Sequence, residues 1–183
     1  MKSSDKDANF KEKLRQALNS TFKVISDDFI SDKKIENKKS SDKFNLFDLE
    51  NLNTRVDFIK ARAETDSNAL KKKFSNNEIY KKNLPINFSC KALYSFAEKI
   101  RCESLGGKML KGIQKNFIEN YTQMLSLKRK DQLKSKDDVT VNEAFELYML
   151  KKFHNIELNP LTQKMLDFWE NDFDPSINKH LKF

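Results

Sequence analysis

Three glycines and three prolines in 183 residues leave this chain few means of turning tightly. All-β folds need turn residues about every 8–12 positions, so the scarcity points to long helices joined by a small number of connections. The apolar residues agree. Phe10, Leu14, Ala17, Leu18, Phe22 and Ile25 recur at steps of three and four, which places them on one face of an amphipathic helix. Hydrophobic residues make up 38% of the chain and include fifteen phenylalanines, enough to fill a core. The expected fold is mainly α, a bundle of about five helices, with a small β-hairpin near residues 29–48.

Further along, Leu52, Val56, Ile59, Ala63 and Leu70 mark the inner face of a second helix that starts near Asn53 or Thr54 and is interrupted by Asp66. Asn76-Asn77 and Pro85 bracket a loop that contains Tyr80. Leu93, Phe96, Ala97 and Ile100 form one stripe, and Leu105, Met109, Ile113, Phe117, Tyr121 and Leu125 another. Gly106-Gly107 lies between the two and marks either a break or a close approach of another backbone. Thr140 and Glu143 have capping-box spacing ahead of a helix that ends near His154. Asn159-Pro160 starts a last short helix, and Asp174-Pro175 is expected to stop it. Residues 1–8 are polar and expected to be disordered, 9–173 form one helical domain, and 174–183 are a tail.

The composition excludes several chemistries. The two cysteines, Cys90 and Cys102, form no CxxC pair and lie far from His154 and His180, so no zinc framework is expected. Gly107-Lys108 is the one Gly-Lys pair, but Cys102 and Met109 stand where a phosphate-binding loop requires Gly and Ser or Thr. No run of 18 apolar residues and no apolar leader occurs, so a cytoplasmic protein without a membrane span is expected. The net charge of +8 suits an acidic partner, but Lys outnumbers Arg and alternates with acids, which disfavours sequence-specific nucleic-acid reading. Glu98, Arg101 and Glu103 cluster on one helix, either as a solvent-facing ion-pair set or as a face for a partner. His154 sits where an imidazolium would meet the negative end of a helix dipole. Trp169, with Phe168 and Phe173, reads as core or as an interface anchor.

The stretch from Ala97 to Gly112 resembles the E-x-x-R-x-E-x-[IL]-G segment of CobT, a subunit of the aerobic cobaltochelatase. Glu98, Arg101, Glu103, Leu105 and Gly106 stand at its named positions, and Met109 and Gly112 follow as the family's Met and Gly do. Phe10-Lys11 through Phe22 is similar to the family's opening helix. The run from Arg62 to Lys71 resembles R-x-x-A-D-x-x-A-L-R, with Thr65 in place of Ala. Asn142 to Leu147 resembles E-E-A-L-x-L, and Asp167 and Trp169 match the Asp and Trp of a closing V-x-D-L-W.

The resemblance implies a non-catalytic assembly or coupling subunit. It would work with an AAA+ ATPase subunit and a large chelatase subunit in cobalt insertion into a corrin ring, as part of an oligomeric complex. That complex uses ATP, Mg²⁺ and Co²⁺, while no cofactor is expected on this chain. In the family a C-terminal von Willebrand-type domain follows an acidic linker. No such half is found in these 183 residues, so the chain is expected to correspond to the N-terminal region. The alternative is a stand-alone basic helical module that binds nucleic acid or another AAA+ complex, motivated by the charge and by the runs Lys71-Lys72-Lys73 and Lys128-Arg129-Lys130.

Overall fold

A computed structural model describes residues 2–27, 52, 54–127 and 133–180. The fold is mainly α. The described residues form eight α-helices: α1 (Lys2–Ser26), α2 (Arg55–Phe74), α3 (Asn77–Lys82), α4 (Phe88–Met109), α5 (Lys111–Ser126), α6 (Val141–His154), α7 (Pro160–Asp167) and α8 (Glu170–His180). The hairpin expected near residues 29–48 lies outside the described residues. The chain divides into two compact units, Met1–Ser75 and Asn76–Phe183.

The first unit is built on α1 and α2. The partners advance together along both helices. Phe10 meets Phe58 edge-on at 5.6 Å, the Lys72 ammonium stands 5.6 Å from the Phe22 ring centre, and Lys73 pairs with Asp27 at 2.8 Å. The two helices therefore run parallel. Leu18, Leu52 and Ala61 are buried together, with Leu14 and Phe58 packed against them. Thr54 starts α2 with a reciprocal capping box to Asp57, which meets two of the orphan amides of a helix start. Asp66, which interrupts the apolar pattern, is nonetheless buried. Residues 2–8, expected to be disordered, belong to α1.

In the second unit α4 and α5 pack as an antiparallel pair. Glu103 lies opposite Tyr121, and Gly107 lies opposite Gln114. Helix α6 crosses against both and carries Ala144, Leu147 and Leu150 into the core with Ile100, Phe117, Met165 and Leu166. Helix α8 runs back along α6 through Tyr148–Asp174, Lys151–Glu170 and the edge-on Phe145–Phe173 ring pair. Thr140 and Glu143 make the expected capping box on α6, and Asn159 caps α7 with Pro160 at its first turn. Asn155 ends α6 at φ 53°, a left-handed conformation that Asn tolerates better than most residues.

Two sequence expectations differ from the structure, and one that left two alternatives open is decided between them. The loop around Tyr80 contains α3, because the Asn76 side chain accepts from the backbone N–H of Glu78 and Ile79 and nucleates a turn. The Tyr80 hydroxyl then bonds Ser95 of α4 at 2.7 Å. The Gly106-Gly107 pair does not break the helix. Both residues lie within α4, and the break falls at Leu110, in extended backbone at φ −132°, ψ 97°. Asp174-Pro175, expected to stop the last helix, lies inside α8, which continues through His180. Pro175 is the sixth residue of α8 and supplies no backbone N–H to the helix there.

Candidate functional site

Helix α4 carries most of the singled-out residues and divides them between two faces. At 100° per residue, Glu98, Arg101, Leu105 and Met109 fall on one side and Ile100, Glu103 and Gly107 on the other. The burial follows this division. Arg101, Leu105 and Met109 are exposed, while Ile100, Glu103, Gly106 and Gly107 are buried.

On the outer face the Arg101 guanidinium donates from Nε to Glu98 Oε2 at 2.7 Å and from a terminal nitrogen to Oε1 at 2.9 Å. This is a two-pronged pair between residues three apart on one helix. Donation to the Glu98 carboxylate holds the Arg101 proton more firmly than usual, against a smaller opposing effect of burial. Arg101 remains 48% exposed and Glu98 14% exposed. A pair this open to water contributes about 0–1 kcal/mol to stability.

Glu103 does not belong to that set. It faces inward and is 1% exposed. Its Oε2 accepts the Tyr121 hydroxyl at 2.8 Å and lies 3.2 Å from His154 Nε2. The donor and acceptor roles in the second bond follow from the His154 tautomer. Lys99 approaches Oε1 at 3.8 Å and stands 5.5 Å from the Tyr121 ring centre, within cation–π range. One carboxylate thus ties α4 to α5 through Tyr121 and to α6 through His154. His154 is buried at the end of α6, so its role is this cross-link as well as its place at the helix terminus. Burial, reinforced by the Glu103 charge, drives the Tyr121 hydroxyl far above the ordinary phenol range.

Sequence reasoning missed this cluster because Glu103 reads as one more charge in a charged turn. The signal that finds it is angular. Glu103 stands about 140° around the helix from Glu98 and within about 60° of Ile100, which the apolar stripe places inward.

The remaining singled-out residues are dispersed. A Cβ added at Gly107 would meet Gln114 Cβ of α5 at 3.4 Å, whereas one added at Gly112 would meet nothing within 4 Å. Asp167 is exposed and accepts from Gln163 at 2.7 Å. Trp169 is half-buried in the turn between α7 and α8. Its Nε1 donates to the Val139 carbonyl at 3.1 Å, its ring stacks on Phe173, and the Lys136 ammonium lies 4.1 Å from its centre. These contacts make Trp169 part of the second unit's packing. Among the described residues no group of three or more His, Cys, Asp or Glu could hold a metal ion. No helix among them is long and apolar enough to cross a membrane.

The family model described as cobalamin biosynthesis protein CobT matches residues 8–182. No curated protein and no solved structure matches the chain. The family match runs from α1 to the end of α8 and includes each motif block on α1, α2, α4, α6 and the α7–α8 turn. The chain belongs to the CobT family of cobalamin biosynthesis proteins.

Proposed function

We propose that the chain is a non-catalytic coupling subunit of a cobaltochelatase, which works between an AAA+ ATPase and a large chelatase subunit that holds the corrin and receives cobalt. The observation that carries this reading is the family match over nearly the whole chain. The division of α4 supports it. Half of the conspicuous motif is consumed in holding the helices together through Glu103. The other half, Glu98, Arg101, Leu105 and Met109, lies on the outward face, where it adds little to the fold and would serve assembly. Cobalt and the corrin are substrates of the assembled machine in this reading, and ATP is hydrolysed by the partner.

The test pairs a thermal melt with a pull-down on the AAA+ and large chelatase subunits encoded in the same genome, using a Glu98→Ala, Arg101→Ala double variant. The native chain is expected to co-purify with the AAA+ subunit. The double variant is expected to melt as the native chain does and to bind more weakly. Failure of the native chain to associate with either subunit would contradict the coupling role. Undiminished binding by the variant would remove Glu98 and Arg101 from the interface.

A further inference from the structure

The turn between α3 and α4 carries the two most exposed large apolar side chains among the described residues. Ile86 is 97% exposed and Phe88 84%, and Ile79 on α3 adds a third at 59%. The fold gives this tip no use. Helix α3 buries no residue, and α4 buries none before Ile100. Asn87 caps α4 by accepting the Cys90 N–H, so Ile86 stands just before the cap and Phe88 opens the helix. An apolar residue before a cap ordinarily packs on the fourth helical residue, but that residue is Lys91.

Charge is sorted around the same turn. Residues 79–97 hold three lysines, Lys81, Lys82 and Lys91, and no acid. The whole chain has 27 acids in 183 residues, so a stretch of this length would ordinarily carry some. All three lysines are exposed, and none of their ammonium groups has an ion pair, hydrogen bond or ring contact among the described residues. By helical spacing Ile79 and Lys82 share a face of α3, and Phe88 and Lys91 share a face of α4. The apolar tip thus has free cations on both helices that lead to it.

We propose that this turn binds an anionic lipid surface. Ile86 and Phe88 would enter the boundary between headgroups and acyl chains, and Lys81, Lys82 and Lys91 would meet the lipid phosphates. Shape and charge select this occupant. Side chains this exposed leave no groove in which a partner helix could lie. Ile86, the more exposed of the two, has no ring to stack on a base, which disfavours single-stranded nucleic acid. A second copy would bring its own three lysines against these with no acid between them. The contact is peripheral and calls for no spanning helix. It goes beyond the coupling reading and does not depend on it.

The experiment sediments the whole chain with vesicles of phosphatidylcholine alone, or of phosphatidylcholine and phosphatidylglycerol in equal parts. Binding to the anionic vesicles is expected to be at least about tenfold tighter. Ile86→Ser with Phe88→Ser, and separately Lys82→Ala with Lys91→Ala, should each weaken it about tenfold or more while the melting curve is kept. Lys111→Ala with Lys115→Ala removes the same charge from α5 and should leave binding near the native value. Insertion is read separately. Cys90 is exposed and Cys102 buried, so an environment-sensitive dye attaches at Cys90, two residues from Phe88. Its emission should shift to the blue on anionic vesicles only. Equal binding to both vesicles, equal loss in the two lysine pairs, or no emission shift would overturn the proposal. So would loss of AAA+ capture by the Ile86, Phe88 variant in a chain that ignores vesicles, which would make the turn a protein contact. No chelatase subunit enters the vesicle assay, so failure of the coupling reading leaves its outcome unchanged.

Discussion

At Glu103 the consequence of a substitution depends on what is left for Tyr121 and His154. Glu103→Gln keeps an oxygen to accept the Tyr121 hydroxyl, whereas Glu103→Leu leaves a buried hydroxyl and a buried imidazole without their partner. Leaving a buried donor without its acceptor costs about 1–3 kcal/mol for each group. Glu103→Leu is expected to lose about that much in urea unfolding, and Glu103→Gln clearly less; the reverse order would show that the cluster does not hold the helices. Tyr121 adds a pH dependence. Its folded pKa is raised above the unfolded value, first by burial and then by the Glu103 charge. A raised pKa means that this contribution is fully present below about pH 10, the unfolded phenol value, and is lost as pH climbs from there toward the folded value. The denaturation midpoint should therefore fall more steeply above about pH 10 for the native chain than for Tyr121→Phe. Parallel curves would place the phenol outside the buried network. Neither role was legible in the residue types. The sequence shows a glutamate in a charged turn, and only its angle on the helix tells that it faces inward.

Among the elements, α2, α6 and α7 carry the clearest local signals and α3 the weakest. The Thr140–Glu143 box, the Asn159-Pro160 start and the start of α2 at Thr54 were all legible, because capping chemistry is local and depends on a few residues in sequence. Helix α3 was not, since six residues give no apolar period and its support comes from Asn76 and from contact between Tyr80 and α4. The break at Leu110 was hidden for a related reason. The four-residue rhythm of Leu105, Met109 and Ile113 continues through it, although the first two are exposed and the third is buried. The two glycines near this break should respond differently. At Gly107 an added methyl reaches Gln114 Cβ at ordinary contact distance, so Gly107→Ala should be tolerated and gain up to about 1 kcal/mol of helix propensity. Gly107→Leu should push α5 away and lower the melting temperature. At Gly112 the space is open, and both Gly112→Ala and Gly112→Leu should melt no lower than the native chain. A Gly107→Leu variant as stable as its parent would mean that α4 and α5 can separate there without loss.

For the whole molecule, mainly helical architecture was readable from the lack of turn residues and from the apolar periods. The division at Ser75 and Asn76 was not, because no glycine or proline marks it and α3 resumes within a residue. The charge of +8 leaves a nucleic-acid partner as the competing account, and salt separates the two. A phosphate-bound complex with 6–10 phosphate contacts loses about 10³–10⁵ in affinity between about 50 and 200 mM salt. A protein–protein association with an apolar centre should lose far less over the same range. The central claim is tested most directly by metal insertion in a reconstituted system that contains the AAA+ subunit, the large chelatase subunit, ATP, Mg²⁺, cobalt and a metal-free corrin. The account predicts that cobalt enters the corrin only when this chain is present, and that the chain alone turns over no ATP. Cobalt insertion at the same rate without the chain would contradict it.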